Sequence, residues 1–122
     1  MPAELLGGVE LGGTKCLALV ARGSTILDRL EVPTTTPGQT LPLLASWLAE
    51  RRSSLAALGV ASFGPVRLAH DAPDHGLILR TPKPEWGGAS VLAPFASLAL
   101  PTALDTDVNA AAMAERAWGA GG

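Results

Sequence analysis

Apolar positions in the first third of the chain fall into three short runs separated by turn residues. Leu6 to Leu11 and Cys16 to Ala21 flank Gly12-Gly13, and Ile26, Leu27, Leu30 and Val32 follow a turn at Arg22-Gly23. Runs of this length bounded by glycine read as strands. A glycine pair between two of them reads as a β-hairpin, whose positive φ angles glycine supplies without steric cost. Three consecutive antiparallel strands, the third over Ser24 to Val32, are therefore expected to open the fold. In the third, Asp28, Arg29 and Glu31 are interleaved with apolar residues and read as a solvated strand face.

The period then changes. Leu41, Leu44, Ala45 and Leu48 recur at helical spacing. Thr36 suits an N-cap, with Pro37 at the first helical position and Gln39 placed for a capping box. Pro42 would remove an internal hydrogen bond from a helix begun there, so a start at Thr40 competes with it. Arg51 and Arg52 suit the helix C-terminus. Leu58 to Phe63 reads as a buried strand ended by Gly64-Pro65. Residues 66–86 are proline-rich and hold both histidines, which predicts an excursion, a loose hairpin with Leu77-Ile78-Leu79 as its return strand. Ala89 to Leu98 reads as a short helix and Pro101 to Leu104 as a strand. The Ala-rich stretch Val108 to Trp118 is a helix former closed by Gly119. An opening hairpin followed by crossover helices predicts an α/β fold with a mixed five-stranded sheet and flanking helices.

Composition narrows the function classes. With 122 residues, 48% hydrophobic and 16% charged, the chain is one domain's worth and globular rather than disordered. A net charge of −2 and scattered cations, Arg51-Arg52 being the only adjacent pair, argue against a nucleic-acid partner. No apolar run approaches the ~18 residues that span a bilayer, so no membrane partner is expected. The start Met1-Pro2-Ala3-Glu4 lacks a positive leader, which makes a cytoplasmic location the expectation. A single cysteine, Cys16, excludes an intramolecular disulfide framework and reads as a buried, inert thiol.

Several segments carry possible chemistry. In Gly12-Gly13-Thr14-Lys15 the glycines let backbone amides approach a phosphate, Thr14 adds a hydroxyl donor and Lys15 a point charge. Glu10, on the preceding strand, could hold Mg²⁺ directly or through water. The spacing is neither a Walker A loop nor Gly-x-Gly-x-x-Gly. The same residues also fit an ordinary Gly-Gly hairpin with a surface lysine. In Asp105-Thr106-Asp107-Val108-Asn109 two carboxylates end a strand just before a helix. An ionised carboxylate there suffices as the base of a phosphoryl transfer, whose transition state is loose, and Asn109 could hydrogen-bond a sugar hydroxyl. The alternative is a helix N-cap. Ser62-Phe63-Gly64-Pro65-Val66 and Thr81-Pro82-Lys83-Pro84-Glu85-Trp86 mix an aromatic face with polar groups, which suits polyol binding and equally suits Phe63 and Trp86 as core anchors. His70-Asp71-Ala72-Pro73-Asp74-His75 has metal-ligating residue types, but Pro73 prevents a regular helix and a solvated turn is the expectation.

Taken in order, Gly7-Gly8-Val9-Glu10-Leu11-Gly12-Gly13-Thr14-Lys15, Val32-Pro33-Thr34-Thr35-Thr36-Pro37, Ala61 to Val66, Thr81 to Trp86, and Leu104 to Asn109 with Glu115 and Trp118-Gly119 resemble the ROK family of sugar kinases and sugar-responsive repressors, within it the bacterial fructokinase-like branch. The resemblance implies a ribonuclease H-like lobe of the actin-like ATPase superfamily and ATP-dependent phosphorylation of a hexose, fructose first. It implies that Gly12, Gly13, Thr14 and Lys15 face the nucleotide phosphates, that Asp107 is the catalytic base, that Glu10 is the Mg²⁺-associated acid, and that Gly64, Pro65, Lys83 and Asn109 contact the sugar. Thr106 stands where many glucose-directed relatives carry Asn. On this reading residues 1–122 are the N-terminal lobe. The C-terminal lobe, with a further phosphate turn, the adenine pocket, often a Cys/His zinc site and a possible homo-oligomer contact, is absent from the chain, which by itself is expected to be inactive. A repressor is disfavoured because the phosphate motif begins at residue 7, leaving no room for a helix-turn-helix domain. A non-catalytic sugar-binding or regulatory remnant is the alternative function.

Overall fold

The computed structural model describes residues 5–23, 25–63, 75–78 and 84–105. Strands β1 (Leu5–Leu11), β2 (Lys15–Arg22) and β3 (Thr25–Pro33) are followed by helix α1 (Pro37–Ala49), strand β4 (Leu55–Ser62) and strand β5 (Thr102–Asp105). The sheet has five strands in the order β3-β2-β1-β4-β5. The β1–β2 and β2–β3 pairs are antiparallel, whereas β4 runs parallel to both β1 and β5. This is the mixed sheet the sequence predicts.

Alternation along the strands separates two faces. Val9, Leu11, Cys16, Ala18, Val20, Leu58 and Val60 are buried on the face that receives Leu41, Leu44 and Leu48 of α1. Gly7 lies beneath α1: a Cβ there would sit 3.1 Å and 3.2 Å from methyl carbons of Leu55 and Leu58 and 3.5 Å from one of Leu48. The missing side chain lets the helix seat closely. On the opposite face Leu6 packs with Ala57, and Leu19 with Ala21. β4 begins earlier than its apolar run implies. A bulge pairs Leu5 with Leu55 but Gly7 with Leu58, so both leucines reach the α1 face despite their odd spacing.

α1 starts at Pro37, not Thr40, and tolerates Pro42 inside it. Thr36 is the N-cap without a side-chain cap bond, so the expected capping box does not form. The first turn is instead held by Thr40, which is fully buried. Its hydroxyl accepts from the Thr35 amide at 3.0 Å and donates to the Pro33 carbonyl at 3.3 Å. At the other end Arg51 donates to the Trp47 carbonyl at 2.8 Å and stacks over the Trp47 ring. The helix expected over Ala89 to Leu98 is a 3₁₀ segment confined to Ala93–Leu98. Ser90 starts it by accepting the Leu92 and Ala93 amides. Leu77 bridges Ser90, and the Ile78 amide donates to Ala89. That antiparallel contact is the described part of the expected return strand.

Candidate functional site

β1, β4 and β5 are mutually parallel, so Leu11, Ser62 and Asp105 end at one edge of the sheet. Ligands in open α/β sheets lie outside the carboxyl ends of such strands. A cavity of about 420 Å³ opens there, lined by Glu10, Leu11, Gly12, Gly13, Thr14, Lys15, Leu17, Ala61, Ser62 and Phe63. Every described residue assigned to phosphate or metal from the sequence, namely Glu10, Gly12, Gly13, Thr14 and Lys15, lines this one cavity. Asp107, Asn109, Gly64, Pro65 and Lys83 lie outside the described residues, as do His70 to Asp74.

The turn differs from the expected hairpin in its reason for glycine. Neither Gly12 nor Gly13 adopts a positive φ. Gly12 is required by close approach: its amide donates to the Lys15 carbonyl at 3.1 Å, and a Cβ on Gly12 would lie 2.6 Å from that oxygen. The Gly12 carbonyl does not close the turn but accepts from the Thr34 hydroxyl at 2.8 Å. Thr34 also donates its amide to the Thr14 carbonyl at 2.9 Å. Cys16, buried as expected, lies 3.1 Å from the Thr34 hydroxyl through its Sγ.

The charged groups sit around this turn. Lys15 and Glu31 form an ion pair at 3.5 Å, with side chains 63% and 52% exposed. An exposed pair of this kind is worth little, so the ammonium can exchange Glu31 for an incoming anion at small cost. Glu10 is half-buried at the end of β1. In register it pairs with Ala61, and Ala61 in turn pairs with Asp105. Two acidic residues therefore share one row and one face across three strands, roughly 10 Å apart at Cα from two strand spacings. The small side chain of Ala61 stands between them. A carboxylate beside this glycine turn is the hard-oxygen donor chemistry that suits Mg²⁺.

Trp86 is a core anchor. It is fully buried, donates Nε1–H to the Thr35 carbonyl at 2.9 Å, and meets Phe63 edge-to-face with centroids 5.5 Å apart. Its ring is not available as a sugar platform. Phe63, half-buried, carries that packing to the cavity wall. Missed from the sequence were the roles of Thr34 and Thr40 and the register that sets Ala61 between Glu10 and Asp105. The run Thr34-Thr35-Thr36 between a strand and a helix was the visible signal for the first of these.

Comparisons with known proteins agree with this geometry. The family model described as the ROK family matches residues 6–122. The chain is 42% identical over 123 residues to a fructokinase of Zymomonas mobilis, covering 96% of this chain and 41% of that protein. It is 38% identical over 113 residues to a fructokinase of Pediococcus pentosaceus, covering 91% and 38%. Among solved structures, a ROK hexokinase from Thermus thermophilus superposes with a TM-score of 0.63 at 26% identity, over 83% of this chain and 34% of that one. A polyphosphate/ATP-glucomannokinase from Arthrobacter superposes with a TM-score of 0.58 at 25% identity, over 98% and 50%. The chain thus spans about two-fifths of the length of the curated relatives it matches.

Proposed function

This chain belongs to the ROK family, and on that premise we propose that it forms the N-terminal lobe of an ATP-dependent hexose kinase acting on fructose. The observation that carries the reading is the cavity at the carboxyl ends of β1 and β4, which gathers Glu10 and the Gly12–Lys15 turn into one place in a chain 42% identical to a fructokinase.

In the proposed reaction the sugar hydroxyl attacks the terminal phosphoryl group of ATP. The amides of the Gly12–Lys15 turn and the Thr14 hydroxyl hold phosphate oxygens, and the Lys15 ammonium leaves Glu31 to neutralise them. Glu10 would hold Mg²⁺, which when bound would neutralise charge on the phosphates. Asp107 accepts the hydroxyl proton. Proton transfer is late because the transition state is loose, so a carboxylate of low basicity serves. Asn109, Gly64, Pro65 and Lys83 orient the sugar. A second lobe closes over both substrates and excludes water, since in-line transfer requires them to be held together. A cytoplasmic location, a zinc site and self-association through that second lobe belong to the same proposal.

Replacing the matched segment of the Zymomonas mobilis fructokinase, 41% of that protein, with this chain tests the reading. The chimera is expected to release ADP with fructose, to prefer fructose over glucose and mannose, and to lose roughly 10²- to 10⁴-fold in kcat on Asp107→Asn. A soluble chimera that binds fructose but releases no ADP would instead make this chain a non-catalytic sugar-binding module.

A further inference from the structure

Thr34 makes two hydrogen bonds to the phosphate turn from outside it. Its hydroxyl donates to the Gly12 carbonyl at 2.8 Å, and its amide donates to the Thr14 carbonyl at 2.9 Å. In a trans peptide the C=O and the following N–H point in opposite directions. Tying the Gly12 and Thr14 carbonyls to Thr34 therefore turns the Gly13 and Lys15 amides away from it. These alternate amides are the donors a phosphate would meet. Left free, the Gly12 carbonyl could rotate toward the ligand and oppose an anion.

The staple is itself held from three sides. The Cys16 thiol lies 3.1 Å from the Thr34 hydroxyl. That hydroxyl spends its proton on the Gly12 carbonyl, and the Cys16 thiol reaches the same carbonyl at 3.8 Å, so both side chains converge on it. One residue on, the Thr35 amide is bonded by the Thr40 hydroxyl and the Thr35 carbonyl by the Trp86 indole. Trp86 and Thr40 are fully buried, so the core fixes where Thr34 stands.

We infer that Thr34 is the positioning residue of the phosphate turn, pulling the Gly12 and Thr14 carbonyls back so that the Gly13 and Lys15 amides form the anion-binding nest. The inference rests on the proposed phosphate role of the turn and adds a residue that role did not require. Thr34 touches no substrate and acts only through the backbone.

The test uses the chain itself with inorganic tripolyphosphate as the probe. Calorimetry on the wild type, Thr34→Val and Thr34→Ser separates the hydroxyl from the shape of the side chain. Val keeps the amide staple and loses the hydroxyl, so its Kd should rise roughly 3- to 10-fold, the range of one hydrogen bond. Ser restores the hydroxyl and should bind within about twofold of the wild type, a rescue that loss of packing would not give. Equal affinity of Val and wild type overturns the inference and leaves the phosphate role standing. Wild type that binds no tripolyphosphate removes the phosphate role and the inference with it. Amide chemical shifts in the ¹⁵N-labelled wild type need no variant to fold. The largest changes on adding tripolyphosphate should fall on Gly13 and Lys15, and largest changes elsewhere in the turn would overturn the orientation argued for here.

Discussion

A Cβ on Gly12 would sit 2.6 Å from the Lys15 carbonyl oxygen, a backbone atom that cannot swing aside. At Gly7 the nearest atoms, at 3.1 Å and 3.2 Å, are methyl ends of leucines, which can yield. Two glycines five positions apart thus have different tolerances. Gly12→Ala is expected to destabilise the chain by about 1–3 kcal/mol, read as a fall of several degrees in Tm, and to weaken phosphate binding. Gly7→Ala should cost about 1 kcal/mol or less and leave phosphate binding unchanged, which thermal melts and calorimetry on both variants would check. The sequence made the glycine motif legible but not its cause. Positive φ was the expected reason and close approach is the observed one, because the turn's shape depends on Thr34, which follows it by 22 residues from Gly12. No local pattern encodes a contact at that distance.

Among the elements, strands whose apolar runs are bounded by turn residues were legible, and with them the five-stranded sheet. What escaped depended on contacts between elements. α1 starts at Pro37 despite Pro42 because Thr40, inside its first turn, bonds the Thr35 amide and the Pro33 carbonyl. Propensity alone would weigh the proline against that start. The segment near Pro94 tightens to 3₁₀ where Ser90 collects two amides. Trp86 reaches from a late 3₁₀ turn, Pro84–Trp86, to the Thr35 carbonyl between β3 and α1. Trp86→Phe keeps an aromatic ring but removes the indole donor to the Thr35 carbonyl, at an expected cost of about 0.5–1.5 kcal/mol in denaturant unfolding. If Trp86 served the sugar instead, the same change would leave stability alone and weaken fructose binding in the chimera.

At the scale of the molecule, the described site is one wall: the Gly12–Lys15 turn, a carboxylate row and an aromatic edge at one rim of a sheet. The chain spans about two-fifths of its curated relatives, and a kinase needs both substrates clamped. The chain alone is therefore expected to show no fructose-dependent ADP release above background, while the chimera does. Order and identity of the motifs were readable from the sequence. That Glu10, Ala61 and Asp105 stand in one row was not, since it follows from the parallel register of β1, β4 and β5.

The central claim is a division of labour, with phosphate handled at the Gly12–Lys15 turn and the sugar hydroxyl at Asp107. Two-substrate kinetics of the chimera test it most directly. Lys15→Met should raise the KM for ATP roughly 10-fold or more, the worth of a charge-assisted contact, with the KM for fructose unchanged. Asp107→Asn should lower kcat and leave both KM values within about twofold, as for an interaction made only in the transition state. A Lys15→Met chimera with unchanged ATP kinetics, or an Asp107→Asn chimera with full kcat, would contradict the account.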